Sequence, residues 1–282
     1  MTRPAKTRRT KNAACRSIGS PPRALVAQAS CHTPRVRRLS LWSVDGLPEI
    51  RPGDDLAGLI ATGLGEPLHD RDVVVVAQKI VSKAEGRVVA LSTVTPSERA
   101  LKMAAESGKD ARQLEVVLRE TRTIVRWERG VLISETHHGF VCANAGVDRS
   151  NAGAADSVVL LPVDPDGSAA RLREDLVRRT GCDVAVVVTD TFGRPWREGH
   201  VNVAIGMAGL PALLRYMGQY DPQGYELRVT EIAVADEIAA AAELVMGKLD
   251  RHPVAIVRGL EPPESTETAH DYVRPKEKDM FR

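Results

Sequence analysis

Short, uninterrupted apolar runs mark where this chain is expected to form buried strands. Residues 73–77 (VVVVA), 184–188 (VAVVV) and 253–257 (PVAIV) are continuous apolar segments. Such runs are typical of strands that are covered on both faces. Residues 39–44 (LSLWSV) alternate between apolar and polar positions instead, which predicts an edge strand.

Longer segments between these runs have the spacing of helices. Asp54 and Asp55 precede a short helix that is predicted from Leu56 to Thr62. An amphipathic helix is expected after the Asp-Pro-Asp-Gly turn that begins at Asp164, closed by Gly181. Further helices are predicted over residues 96–120 and from Thr230 to Leu244 (ended by Gly247), and a hairpin over residues 131–143. Because strands, helices and a hairpin follow one another without a regular βαβ order, we predict an α+β fold with a mixed sheet rather than a doubly wound sheet.

Positive charge is concentrated at the start of the chain, so the net charge of +2 does not describe the rest of the chain. Residues 1–38 contain ten Lys or Arg and no acidic residue, so residues 39–282 hold 29 basic and 37 acidic side chains. Because residues 39–282 carry more acidic than basic side chains, they are not expected to bind nucleic acid. We take these residues as one domain. Residues 1–38 lack hydrophobic periodicity and are predicted to be a disordered basic arm; a transit peptide is the alternative.

Cysteine spacing and hydropathy indicate the compartment. The four cysteines (Cys15, Cys31, Cys142 and Cys182) form no Cys-x-x-Cys pair, and we expect free thiols in a reducing cytoplasm. No run of about 18 uncharged apolar residues is present. A cytoplasmic protein without a membrane partner is therefore predicted.

The common nucleotide-binding and hydrolase signatures are missing from the sequence. It contains no G-x-x-x-x-G-K-[ST] loop, no G-x-G-x-x-G after a strand, and no G-x-S-x-G elbow. Polar residues at three predicted strand ends offer another way to bind phosphate, namely Gln78, Lys79, Ser82 and Lys83; Asp148, Ser150 and Asn151; and Asp190, Thr191, Arg194 and Arg197. Carboxylate and hydroxyl oxygens suit Mg²⁺ or Mn²⁺, and cationic side chains suit phosphate. The pattern favours metal-assisted phosphoryl transfer.

These residue types also have ordinary structural interpretations. An aspartate after a strand commonly caps a helix or forms a turn, and Asp148 fits a turn. His137 and His138 fit a solvated hairpin tip better than a pair of metal ligands. Trp127 and Trp196 are predicted to be packing anchors rather than stacking platforms.

Seven segments occur together in one order and spacing. They are GLPEIRPGDDL, VVVVAQKIVSKAEGR, NAGVDRSN, LLPVDPDGSAARLR, VVVTDTFGRPWREG, DPQGYELRVTEIAVADEIAAAAELVMGK and PVAIVRG. This set resembles the coenzyme F420-0:L-glutamate ligase family over roughly residues 39–282, and the ending RPKEKDMFR is similar to that of its stand-alone archaeal-type members.

The resemblance implies a GTP-dependent ligase. Such an enzyme phosphorylates the terminal carboxylate of F420-0 and joins the resulting acyl phosphate to the amine of L-glutamate. A further glutamate is then added through the γ-carboxylate of the first. The resemblance also implies Mg²⁺ or Mn²⁺, a supporting K⁺, and an intertwined homodimer.

Individual residues receive roles from the same resemblance. Asp148 and Asp190 match ligands of one metal ion, and Thr191 matches a ligand of a second. Relatives can carry Gln in place of Lys248, and because a protonated lysine cannot ligate a metal, the second metal site is in question here. Nucleotide contacts are implied at Leu47, Pro48, Glu49, Ile50, Gln78, Lys83, Asn151, Met246, Gly247, Lys248, Leu249 and Asp250. We place Arg194 and Arg197 with the two aspartates in the catalytic set, as contacts to the substrate's phosphodiester or carboxylate.

Two other functions are open at this point. A related GTP-dependent amide ligase could act on a different carboxylated cofactor precursor with the same residues. A protein that merely stores a cofactor, and docks a partner through its basic arm, would need no metal-binding carboxylates. The presence of Asp148, Asp190 and Lys83 together disfavours that storage role.

Overall fold

A computed structural model of the chain describes residues 38–149 and 156–280. Its strands are β1 (Ser40–Ser43), β2 (Val73–Ala77), β3 (Val88–Ala90), β4 (Thr121–Glu128), β5 (Val131–Thr136), β6 (Val141–Ala143), β7 (Ser157–Val159), β8 (Ala185–Arg194), β9 (Arg197–Ala208), β10 (Leu214–Arg215), β11 (Glu231–Ile232) and β12 (Val254–Arg258). Its α-helices are α1 (Leu56–Gly63), α2 (Gln78–Ala84), α3 (Glu98–Ser107), α4 (Ala111–Arg119), α5 (Pro165–Thr180) and α6 (Val234–Met246). Of the predicted basic arm, residues 1–38, only residue 38 is described. The predicted nucleotide contact Asn151 also lies outside the described residues.

The largest sheet has five strands in the order β1-β12-β2-β8-β9. β2 and β8 run parallel, whereas the other neighbouring strands are antiparallel. This mixed sheet, with helices on its faces, confirms the predicted α+β class. β1 lies at one edge, as its alternating sequence predicted.

Helices on both faces of the sheet explain the unbroken apolar run of β2. Val74 and Val76 pack in a core that includes residues of α1 and α5. Val73 and Val75 pack in a second core that includes residues of α6. All four side chains are fully buried, so no position of the strand faces water and the usual alternation is lost.

A smaller antiparallel sheet in the order β4-β5-β6 forms a third core with α3 and α4. Leu114 of α4 and Leu132 of β5 are buried at its centre. Trp127 packs against this core and donates its indole N–H to Glu106 at 3.1 Å. The prediction that Trp127 is a packing anchor is therefore confirmed, although strand β4 itself was not predicted.

Helix ends follow side-chain caps and glycines. Asp55 accepts a hydrogen bond from the backbone N–H of Gly58 and starts α1, as predicted. Asp164 caps α5 in the same way, so the predicted Asp-Pro-Asp-Gly turn is instead the first turn of this helix. Gly181 and Gly247 end α5 and α6, as predicted. No helix within the described residues has the length and apolar character needed to cross a membrane.

Two helix predictions were wrong in their extent. Residues 96–120 form two helices rather than one, because Gly108 takes a left-handed conformation with φ of 70° and Asp110 then caps α4. The helix expected from Thr230 begins only at Val234, because strand β11, just before it, pairs with β10.

Strand β8 is longer than predicted and forms a hairpin with β9, which was missed. Burial ends at Thr189, but pairing continues to Arg194, which faces Arg197 across the hairpin. The apolar pattern that predicted the strand stops where burial stops. The part of β8 beyond Thr189 is polar and is maintained by backbone hydrogen bonds to β9. Trp196 at the tip is 81% exposed, so its predicted role as a packing anchor is wrong in this chain.

The close contact between α5 and β9 gives a test of the fold. A Cβ atom added to Gly206 would lie 2.3 Å from the carbonyl oxygen of Pro165 in the first turn of α5. Because backbone cannot give way easily, Gly206→Ala is expected to lower the free energy of unfolding by about 3 kcal/mol in urea denaturation. Gly65→Ala is the matched control, since no heavy atom lies within 4 Å of its added Cβ. Equal effects of the two substitutions would contradict this packing.

Candidate active site

The parallel pairing of β2 and β8 brings two of the predicted polar clusters together. Ala77, the last residue of β2, lies opposite Thr189 of β8. The next residue of each segment is therefore Gln78, which starts α2, and Asp190. The first and third predicted clusters consequently meet at one end of the sheet.

Asp148 joins these residues from the loop that follows β6. Its backbone N–H and C=O bond to Val159 at 3.0 and 2.8 Å. Its carboxylate lies 2.5 Å from the ammonium of Lys79 on α2. The charge of Asp148 also raises the pKa of Asp190, so the two predicted carboxylates are electrostatic neighbours.

Asp190 is the most perturbed carboxyl of the site. Burial raises its pKa to about 6, and the nearby Asp148 adds to this rise. The backbone N–H of Thr191 and the ammonium groups of Lys79 and Lys248 act in the opposite direction. Ionisation of the Asp190 carboxyl is therefore costly in this environment, and a bound cation would lower that cost.

Lys248 belongs to a chain of polar contacts that crosses the site. Its ammonium donates to Thr191 Oγ1 at 3.1 Å, and the Thr191 hydroxyl donates to Asn202 Oδ1 at 2.8 Å. The amide of Asn202 donates in turn to Glu243 on α6 at 2.9 Å. The loop after α6 is thus joined through β8 and β9 back to α6 itself.

Gln78 presents a buried donor that is not used within the described residues. The residue is 1% exposed, and its Nε2 has no hydrogen-bond partner there. Ser82, one turn further along α2, donates to Gln78 Oε1 at 2.8 Å. Because an unsatisfied buried N–H is costly, this amide is suited to donate to an oxygen of a ligand.

The predicted nucleotide segment from Leu47 to Ile50 lies beside α2. Lys83 Nζ is 2.5 Å from Glu49 Oε1 and connects the segment to this helix. Pro48 and Glu49 are exposed, whereas Ile50 is 4% exposed and belongs to the core. Contacts from this segment to a ligand would therefore come from Pro48 and Glu49 rather than from Ile50.

The loop after α6 divides in a similar way. Met246 is 3% exposed and packs in the core, while Leu249 is 89% exposed. Gly247 ends the helix, and Lys248 is the member of the predicted set 246–250 whose side chain contacts Thr191.

The two predicted arginines are not part of this cluster. Arg194 lies four residues beyond Asp190 on β8, about 13 Å away at roughly 3.3 Å per residue, and donates to the backbone oxygen of Glu198 at 2.6 Å. Arg197 follows the hairpin turn and is exposed. Their contact with the substrate stays a prediction.

Two further residues border the site and were not predicted. Asn202 lies on the missed strand β9, and Cys142 on β6 is buried. Burial, with the neighbouring charge of Asp190, raises the pKa of the Cys142 thiol to about 12, so it stays protonated. Neither position carries a periodic or motif signal in the sequence.

His137 and His138 anchor the hairpin tip. Their Nε2 atoms lie 3.0 and 2.9 Å from the backbone oxygens of Arg119 and Pro162. Both rings are therefore engaged with the protein, whereas a solvated hairpin tip was predicted.

The donors available for a metal ion are few. Within residues 38–149 and 156–280, no group of three or more His, Cys, Asp or Glu side chains gathers in one place. A divalent ion beside Asp148 and Asp190 would need further oxygens from hydroxyls, water or substrate, which is usual for Mg²⁺.

A groove of about 1120 Å³ lies away from this cluster. Its lining includes Asp166, Arg173 and Met207, at the other end of β8 and β9. The Asp166 carboxylate is already used there, since it accepts the backbone N–H groups of Met207 and Ala269. The carboxylate pair, rather than this groove, is the candidate active site.

Comparison with known proteins identifies the family of the chain. The family model for F420-0:Gamma-glutamyl ligase matches residues 46–259. The chain is 45% identical over 251 residues to the coenzyme F420:L-glutamate ligase of Methanothermobacter thermautotrophicus, covering 86% of this chain and 99% of the relative. It is 47% identical to the enzyme of that name from Methanopyrus kandleri and 41% identical to that from Methanocaldococcus jannaschii, each over 239 residues and 94% of the relative, with 83% and 84% of this chain covered.

These similarities define the class of protein first: it is an enzyme, a ligase that forms carbon–nitrogen bonds. The chain belongs to the F420-0:gamma-glutamyl ligase family. The resemblance seen in the seven sequence segments is thereby confirmed.

The raised pKa of Asp190 predicts a pH-dependent stability in the metal-free protein. The folded state holds this proton up to about pH 6, whereas an unfolded aspartate loses it near 3.8. Unfolding free energy contributed by this group therefore falls as pH rises from about 4 to 6. Asp190→Asn, which cannot ionise, should be more stable than wild type at pH 7.5 by up to about 3 kcal/mol, with the difference closing near pH 4.

Urea denaturation in the presence of a chelator measures this difference. Asp175→Asn is the control, since Asp175 lies on the surface of α5 in an exposed pair with Arg178, and it should change stability little at either pH. A wild type as stable as Asp190→Asn at pH 7.5 would contradict the buried position of the carboxylate.

Proposed function

We propose that this enzyme joins L-glutamate to coenzyme F420-0 in the biosynthesis of coenzyme F420, using GTP. Family membership supports the role in coenzyme F420 biosynthesis, as do relatives that are named coenzyme F420:L-glutamate ligase and are matched over 94–99% of their length. The structural observation that carries the proposal is the meeting of Asp148 and Asp190 among the ammonium groups of Lys79 and Lys248.

A carboxylate reacts poorly with an amine, and the proposed reaction first activates it as an acyl phosphate. A carboxylate oxygen of F420-0 attacks the γ-phosphorus of GTP, so that an acyl phosphate forms and GDP leaves. The neutral amine of L-glutamate then attacks the acyl carbon. A C–N bond forms, the C–O bond to phosphate breaks, and the amine nitrogen gives a proton to solvent. The γ-carboxylate of the added residue can accept a further glutamate by the same steps.

Asp148 and Asp190 would hold a divalent cation, Mg²⁺ or Mn²⁺. The fit rests on two neighbouring carboxylates, one of which is buried where its charge is disfavoured. When bound, such an ion offsets the repulsion between an anionic acceptor and a polyanionic donor. A supporting K⁺, implied by the resemblance, is part of the proposal without an assigned residue.

Side chains of α2 would bind the nucleotide. Lys79 and Lys83 are paired with Asp148 and Glu49, and each can turn toward a phosphate oxygen once an ion or substrate changes the local charge. Gln78, whose amide is oriented by Ser82, offers an additional N–H donor.

We propose that two copies of the chain assemble, as the family resemblance implies for an intertwined homodimer. Large apolar side chains are exposed at the β8–β9 hairpin tip and in the segment between β10 and β11. Trp196, Tyr220 and Val229 are 81%, 69% and 86% exposed. Exposed apolar side chains in these two segments suit contact with another subunit.

Mass spectrometry of a reaction mixture tests the activity. Full-length protein with F420-0, L-glutamate, GTP and Mg²⁺ should yield glutamylated product and GDP. Asp190→Asn should lower the rate at least about 100-fold, because it weakens ion binding and charge stabilisation at the transferred phosphoryl group. Asp175→Asn should retain wild-type turnover.

Side-by-side incubation with other carboxylated cofactor precursors separates the main alternative. A precursor consumed faster than F420-0 would assign the enzyme to a different acceptor, and consumption of none in the presence of metal would contradict the proposed chemistry.

Sedimentation velocity tests the assembly. Wild type should sediment as a dimer at micromolar concentration, and Trp196→Asp should shift the equilibrium toward monomer because it places a charge in the proposed contact. Leu101→Asp, at an exposed apolar position of α3, is the control. A wild-type monomer at these concentrations would contradict the proposed dimer.

A further inference from the structure

We propose that the ammonium of Lys248 occupies the position beside Thr191 where a second divalent cation would bind, so that this enzyme uses one divalent ion per site. The inference rests on the proposed function, since it concerns ions that serve phosphoryl transfer. It departs from the expectation that Thr191 is a ligand of a second metal ion.

The hydroxyl of Thr191 is already committed on both sides. Its hydrogen points to Asn202 Oδ1 at 2.8 Å, and its oxygen accepts from Lys248 Nζ at 3.1 Å. A divalent ion ligated by this oxygen would sit about 2.1 Å from it, and therefore no more than roughly 5 Å from the ammonium. Two such charges repel each other strongly in a partly buried site.

The direction of the Thr191 hydroxyl is fixed from the other side. Asn202 is 4% exposed, and its amide donates to Glu243 Oε2 at 2.9 Å. With its N–H donor engaged by Glu243, Asn202 presents its carbonyl oxygen to Thr191. Thr191 is therefore the donor in that bond, and its remaining lone pairs face Lys248.

The charges of the site are already offset without a second ion. Lys79 pairs with Asp148 at 2.5 Å, and the charge of Lys248 stabilises the anionic form of Asp190. A lysine has no lone pair to offer when it is protonated, so Lys248 can supply part of the positive charge of a divalent ion but cannot help to bind one.

Lys248 can also take over part of the work of such an ion. The residue is exposed as a whole, with only its ammonium engaged at Thr191. The ammonium has three N–H donors and Thr191 accepts one of them, so the same group can also donate to a phosphate oxygen of the nucleotide or of the acyl phosphate while it stays beside Thr191. This group is an anion contact and a positioning charge, not a base.

Counting bound Mn²⁺ by electron paramagnetic resonance tests the inference on the full-length protein. Titrations are run without nucleotide and with one equivalent of guanosine nucleotide per chain. Wild type should bind one Mn²⁺ at its tight site and show the spectrum of an isolated ion. Lys248→Gln, which removes the charge and adds an amide oxygen, should bind a second ion at least tenfold more tightly than wild type and show a spin-coupled pair.

Two further variants make the result specific. Lys248→Met removes the charge without adding a ligand, and its second ion should bind at least tenfold more weakly than in Lys248→Gln. Lys102→Gln removes an exposed lysine of α3 and should behave as wild type.

The outcomes separate the inference from the proposed function. Two tight, coupled Mn²⁺ ions in wild type would overturn the role of Lys248, as would a Lys248→Gln variant that still binds one. Absence of Mn²⁺ binding in wild type and all variants would instead contradict the proposed metal-assisted chemistry.

Discussion

The parallel pairing of β2 with β8 is the constraint on which the site depends. Parallel neighbours end at the same edge of a sheet, so Gln78 and Asp190 meet there although they are distant in sequence. Both strands are buried between helices on two faces, and apolar burial stabilises this pairing. The sheet therefore holds the site in place without relying on the interactions of the polar residues at its edge.

The charges at this edge follow from the same geometry. Two neighbouring carboxylates repel each other, and burial adds to the cost of ionising Asp190. The ammonium groups of Lys79 and Lys248 offset this cost in the free enzyme. When a cation binds the carboxylates, the same ammonium groups have N–H donors free for phosphate oxygens, which suits a site that must receive an ion and a polyanion together. Strongly perturbed carboxyl groups of this kind are characteristic of functional sites.

This arrangement also weighs against a protein that only stores a cofactor. Apolar surface and a few neutral hydrogen bonds would be enough to bind a flat aromatic ligand. Carboxylates placed side by side would weaken the binding of any phosphate-containing molecule unless a cation were present. The comparisons place the chain in a ligase family over residues 46–259.

The sequence alone determined the buried strands, the first helix cap, the α+β class and the residues at two strand ends. Each of these depends on local patterns: unbroken apolar runs, a capping Asp55, and polar residues directly after Ala77. The segment resemblance added the family, because seven motifs in order are a property of the sequence itself.

Only the tertiary structure decided which residues form the series of hydrogen bonds from Lys248 to Glu243. It also decided that Trp196 is exposed. The outer half of strand β9 left no signal because backbone pairing, rather than burial, maintains it; its inner half is apolar and buried, but the strand was not predicted, and Asn202 was missed with it. The distances between Asp148, Lys79 and Asp190 likewise depend on loops and strand register that no local pattern encodes. Local propensities determine what each segment becomes, whereas long-range packing determines which side chains meet.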